Sequence, residues 1–167
     1  VLIVCITIAA LLAALELSHV GHRPFRRELF LAVLAESLLY ATVMGTCILA
    51  LLSAVPGFDP SLSSAVAETS PMSRFVLSIG AGVHEELVFR LGVFGGIVAV
   101  GNRLGASRWR VLFGALVVSS LLFSAVHYVG PLADPFTAYS FVYRTLAGAI
   151  FASLYVLRSF AVAVYTH

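Results

Sequence analysis

Long apolar runs, each about the length of a membrane crossing, follow one another through this chain and leave it few folds to adopt. A helix that spans the hydrocarbon core needs about 20 mostly apolar residues. Five stretches meet that condition, at approximately 1–18, 28–55, 72–100, 109–129 and 136–157, and a further run begins at 160–167. Polar or breaker-rich stretches part them: Ser18–Arg27, Pro56–Pro71, Gly101–Arg108, Gly130–Pro135 and a very short joint at Arg158–Ser159. Composition agrees, with 60% of residues hydrophobic and 11% charged, against about 25% charged in a typical soluble domain. So little polar material cannot cover a water-exposed surface. No barrel-like alternation and no internal repeat is visible. The sequence therefore predicts an all-α fold: a polytopic transmembrane helical bundle with five spanning segments plus the start of a sixth.

Arginine placement gives an expected orientation. Arg23, Arg26 and Arg27 follow the first run, Arg103, Arg108 and Arg110 the third, and Arg158 the fifth, whereas the opposite loops hold Asp59, Glu68 and Asp134 with only Arg74. The positive-inside rule puts the arginine-rich loops 18–27 and 101–110 in the cytoplasm of a multi-pass cell-membrane protein. The formal charge of +2 and the lack of a basic run interleaved with aromatics argue against a nucleic-acid partner, so lipid is the main environment. Cys5 and Cys47 lie in apolar runs and read as small lipid- or core-facing residues. The first residues have neither a basic leader nor a small-residue cleavage site. They read as a membrane helix with its beginning trimmed, and the last apolar run stops at His167. The chain is thus expected to be a fragment.

Charges inside the apolar runs carry the most information. Glu36, Glu85, Glu86, Arg90 and Arg144 all lie there, and each costs roughly 2.5–3.5 kcal/mol at a helix centre on insertion scales. Such groups should face the bundle interior or a wet cavity and find partners. In Gly82-Val83-His84-Glu85-Glu86-Leu87-Val88-Phe89-Arg90, Glu86 and Arg90 share one helix face while Glu85 projects about 100° away. One carboxylate is then neutralised and its neighbour stays free for chemistry. A structural ion pair would need one Glu, so two suggest a site. His127 closes the fourth run, Arg144 lies in the fifth and His167 ends the chain. His84 reads as a polar helix residue. Gly92, Gly95, Gly96, Gly114 and Gly148 are expected to let helix backbones approach closely.

Taken in order, Glu85-Glu86-x-x-x-Arg90, Phe123-x-x-x-His127, Phe141-x-x-Arg144 with Gly148 and Leu154-Tyr155, and the final His167 resemble the CPBP family of intramembrane proteases. That family includes CAAX prenyl endopeptidases and Abi bacteriocin-processing or self-immunity proteins. The resemblance covers residues 72–167 as a catalytic core, leaving 1–71 as N-terminal transmembrane helices and loops. The family's Asn or Asp four residues after the last histidine would fall beyond His167. The resemblance implies an endopeptidase that uses activated water, with Glu85 as base, His127 positioning the water and His167 stabilising the oxyanion. Glu86 and Arg90 would hold the constellation in register, with Phe123 and Arg144 in support. Its substrate would be a peptide or protein, either a prenylated C-terminal peptide or a leader peptide.

No cofactor is favoured, because two carboxylates and two histidines suffice for water activation. The competing reading uses zinc, with Glu85, His127 and His167 as ligands and one position open for water; no His-Glu-x-x-His motif accompanies it. Two other functions remain open: a non-catalytic membrane immunity or scaffold protein of the same fold, and a proton-coupled transporter. Upright helices would hold Glu85, His127 and His167 at different depths, so the site requires tilted or displaced helices. Glu36 is expected to pair with Arg90 or Arg144, or to reach the cytoplasmic boundary.

Overall fold

The computed structural model describes residues 26–56, 72, 80, 82–130 and 133–167. The expected span over 1–18, with Cys5, lies outside them. The chain divides into two compact units, Val1–Ala32 and Val33–His167. Residues 26–32, the described part of the first, open helix α1 (Arg27–Ser53). The site lies in the second unit.

Among the described residues every regular element is helical. After α1 come α2, whose described part runs 82–103, then α3 (Arg108–Val126), α4 (Ala138–Leu157) and α5 (Phe160–Thr166). Helices α1, α3 and α4 are long and apolar enough to cross a membrane. That supports three of the expected spans. A helix buries its own backbone hydrogen bonds, which is what lipid demands of any crossing segment.

Helix α2 departs from the plain helix expected over 72–100. Leu87–Phe94 is wound as a π-helix, and the α-helical piece Gly95–Arg103 follows it. The Gly95 amide reaches the Arg90 carbonyl five residues back. A Cβ on Gly92 would sit 3.7 Å from the Leu87 carbonyl oxygen, and one on Gly95 would sit 3.5 Å from that of Arg90. No described atom of another helix lies within 4 Å of either position.

Helices α3 and α4 form an antiparallel pair with the closest seam. Ser124 Oγ donates to the Phe141 carbonyl at 2.8 Å. A Cβ on Gly148 would lie 3.1 Å from Phe123 Cδ1 and 3.2 Å from Ser120 Cα, so Gly148 is the small contact residue the sequence predicts. Gly96 and Gly114 are not: no described atom lies within 4 Å of where their Cβ would be. They line an apolar cavity of about 630 Å³ between α2 and α3, shared with Val93, Ile97, Val118 and Leu122.

The joint between α4 and α5 keeps its polar groups paired. Arg158 and Ser159 amides both donate to the Leu154 carbonyl, at 2.8 and 3.2 Å. Ser159 then caps α5, its hydroxyl accepting from the Val162 amide at 3.2 Å, the usual work of an N-cap serine. Phe89, Phe123, Tyr139 and Phe151, with Ile48 and Leu52 from α1, form a buried core rich in aromatic rings.

Candidate active site

The N-terminal end of the described α2 supplies both carboxylates. Glu86 and Arg90 are fully buried, with Arg90 Nε 2.9 Å from Glu86 Oε2. This is the pairing that the four-residue spacing predicts, and it survives the π-winding. The approach is angled too far for a formed hydrogen bond, and Nη1 and Nη2 of Arg90 also have no hydrogen-bond partner among the described residues. Instead the guanidinium lies against two rings, 5.1 Å from the Phe123 centroid and 5.7 Å from that of Phe151. Aromatic faces stabilise a cation most where water is excluded.

Glu85 points elsewhere, with 21% of its side chain exposed. Two imidazoles converge on it. His127 Nε2 is 3.7 Å from Glu85 Oε1, and His167 Nε2 is 3.5 Å from Glu85 Oε2. Each ring is oriented through its other nitrogen. His127 Nδ1 lies 2.8 Å from the Phe123 carbonyl, and His167 Nδ1 lies 3.3 Å from Glu86 Oε1. Carbonyl and carboxylate oxygens only accept, so both Nδ1 atoms carry hydrogen. In the neutral rings both Nε2 atoms then present a lone pair towards Glu85.

The helices are placed so that the three residues meet despite the expected mismatch in depth. His127 ends α3, and its ring folds back one turn to the Phe123 carbonyl. His167 directly follows Thr166 of α5. The Phe123 ring bridges the levels, 5.2 Å from the His127 ring and 5.9 Å from that of His167.

His167 is wedged on a second side. Its imidazole stacks on Phe151 at 4.6 Å and 10°, and its Cβ lies 3.3 Å from where a Cβ on Gly82 would be. Neither Phe151 nor Gly82 stands out in the sequence as a site residue. The signal for Phe151 was its spacing from Arg144 and Gly148, which puts all three on one helix face.

Residues 68–167 match the family model of the Rce1-like type II CAAX prenyl endopeptidases. The chain belongs to that family. No curated protein and no solved structure gives a significant match. Membership in the Rce1-like family makes the chain a membrane protease by class, and the matched stretch contains Glu85, Glu86, Arg90, His127 and His167.

Arg144 stands apart from the carboxylate pair in this Rce1-like site. It bonds Tyr128 Oη at 2.9 Å, Ser140 Oγ at 2.6 Å and Asp134 Oδ2 at 2.6 Å. Asp134 also donates its amide to the His127 carbonyl at 2.9 Å. Arg144 thus ties down the loop that follows His127. Among the described residues no group of three or more His, Cys, Asp or Glu is arranged to hold a metal ion.

Proposed function

We propose that this chain hydrolyses a peptide bond within the membrane with a water molecule activated by Glu85 and His127, without a metal. The observation that carries the reading is the convergence of two imidazole Nε2 atoms on one carboxylate, while the adjacent carboxylate is committed to Arg90. With His167 protonated on both ring nitrogens, ionised Glu85 and neutral His127 offer acceptors and no hydrogens between them. A water beside them can donate one hydrogen to Glu85 and one to His127 Nε2, leaving an oxygen lone pair for attack. Gaps of 3.5 and 3.7 Å are ones a bridging water closes at ordinary hydrogen-bond length.

In the attack step the water oxygen bonds to the scissile carbonyl carbon and its proton passes to Glu85. The carbonyl π-electrons move to oxygen, where His167 in its imidazolium form donates Nε2–H to the oxyanion. Collapse breaks the C–N bond, and the proton held by Glu85 goes to the leaving amine. Fixed donors in a water-poor pocket stabilise such charge strongly. Glu86 holds the tautomer and direction of His167 through Nδ1, and Arg90 holds Glu86.

The family description supports a C-terminal prenylated peptide as substrate in preference to a leader peptide. The arginine-rich loop at 101–110 then faces the cytoplasm. The test is cleavage by purified protein in lipid, with prenylated and leader-type peptides offered in parallel. Wild type should cut the prenylated peptide, and Glu85→Gln and His127→Ala should each abolish cutting at equal folded abundance. Activity in both variants overturns the assignment. Loss of wild-type activity to a chelator, restored by zinc, overturns the metal-independent step. Cutting of the leader peptide alone overturns the substrate class.

A further inference from the structure

Glu36 lies outside the stretch that matches the family, yet it reaches the helix that carries His167. Its carboxylate bonds both Nε and Nη2 of Arg158, the latter at 2.8 Å. Arg158 is the residue between α4 and the Ser159 cap of α5. One position along, the buried Ser37 hydroxyl donates to the Val162 carbonyl in the middle of α5, at 3.3 Å. Tyr40, a turn further, lies beside the Glu36 carboxylate. Val33 and Tyr40 pack with Leu154, Val162 and Ala163. Positions 33, 36, 37 and 40 form one face of a helix, and that whole face is turned to α5 and its root.

Helix α5 begins at Phe160, directly after the Arg158–Ser159 joint, so whatever holds Arg158 bears on the direction in which the helix leaves that joint. His167 lies eight positions beyond Ser159, about 12 Å along the helix at 1.5 Å per residue. A tilt of about 5° at the root moves the ring by roughly 1 Å, and a misplacement of 1 Å costs on the order of 10²-fold in rate. The ring has little slack to absorb it, being stacked on Phe151 and set close against Gly82.

We infer that Glu36 is a positioning residue: its bidentate pair with Arg158 aims α5 and thereby sets His167 Nε2 against Glu85. The inference rests on the endopeptidase reading for its kinetic arm, and a second arm is independent of activity.

The experiment uses the full chain in lipid nanodiscs. Variants are Glu36→Gln, Glu36→Asp, Ser37→Ala, and the exchange Glu36→Arg with Arg158→Glu. Two quantities are measured: kcat and KM on the peptide wild type cuts, and the rate of diethylpyrocarbonate modification of His167, with His127 as internal control. Glu36→Gln should lower kcat about tenfold or more with KM within about twofold. His167 should be modified several-fold faster while His127 is unchanged. Glu36→Asp and the exchange should recover most of the loss, and Ser37→Ala should move both readouts the same way by less.

Wild-type kcat and wild-type His167 reactivity in Glu36→Gln overturn the inference. So does an equal rise at both histidines, which is general loosening. If Glu36→Gln does not fold, Ser37→Ala decides by the same two readouts. If wild type cuts no peptide, the endopeptidase reading fails, and His167 reactivity alone decides the role of Glu36.

Discussion

Glu85 and Glu86 are neighbours in sequence and belong to two different regions of the site. Around Glu86 the surroundings are dry: Arg90 is its counter-charge, both side chains are fully buried, and phenylalanine rings face the guanidinium. Around Glu85 the surroundings are reachable, with Glu85, His127 and His167 each retaining about a fifth of their side-chain exposure. One region is held by charge that cannot be moved cheaply. The other keeps its charges at distances a water can enter. Adjacent positions on a helix face different directions, so a two-residue motif can serve as both foundation and reagent.

The largest effect that would sharpen this contrast belongs to Glu85→Gln. Losing a general base lowers rate by about 10²–10⁴-fold. Steady-state kinetics should show that loss, with a thermal midpoint in detergent within a few degrees of wild type. A large drop in midpoint would mean that Glu85 is foundation too. Next comes Arg90→Met, which leaves Glu86 buried without its cation. Breaking a buried pair from one side costs about 3–5 kcal/mol, so the folded yield and thermal midpoint should fall sharply. An Arg90→Met protein of normal stability would erase the distinction between the two regions.

Smaller effects separate the two seams of α3 that frame the site. Gly148→Leu drives atoms into Phe123 and Ser120, already at 3.1 and 3.2 Å from a Cβ there. Overpacking of that kind costs roughly 1–3 kcal/mol and displaces the ring on which both histidines rest. Chemical denaturation in mixed micelles would measure it. Gly114→Ala meets no described atom within 4 Å and should be neutral or stabilising by up to about 1 kcal/mol, through helix propensity. If Gly114→Ala proved the worse of the two, the account of the seams would be reversed.

Much of the site was legible from local spacing. The facing of Glu86 and Arg90 follows from a separation of four residues. The histidines could be named because each stood out in an apolar run, and the resemblance supplied their common purpose. The partners of Glu36 and Arg144 were not legible. Arg158 lies 122 positions from Glu36, and Asp134 meets Arg144 only because the loop after α3 turns back. Pairings of that sort are decided by tertiary packing. The glycines show the limit of residue type as a signal. Gly148 and Gly114 carry the same information in sequence, and only one of them meets another helix.

The π-wound stretch Leu87–Phe94 has a consequence for how the protein tolerates change. Each residue added to an α-helix rotates everything after it by about 100°. A wide turn can take up or release such an addition. It therefore works as a slip joint between the carboxylate end of α2 and the glycine-bearing end. The first can be dialled to meet the histidines while the second settles against α3 on its own terms. Changes of length within α2 beyond Phe94 are in that sense geared out of the chemistry.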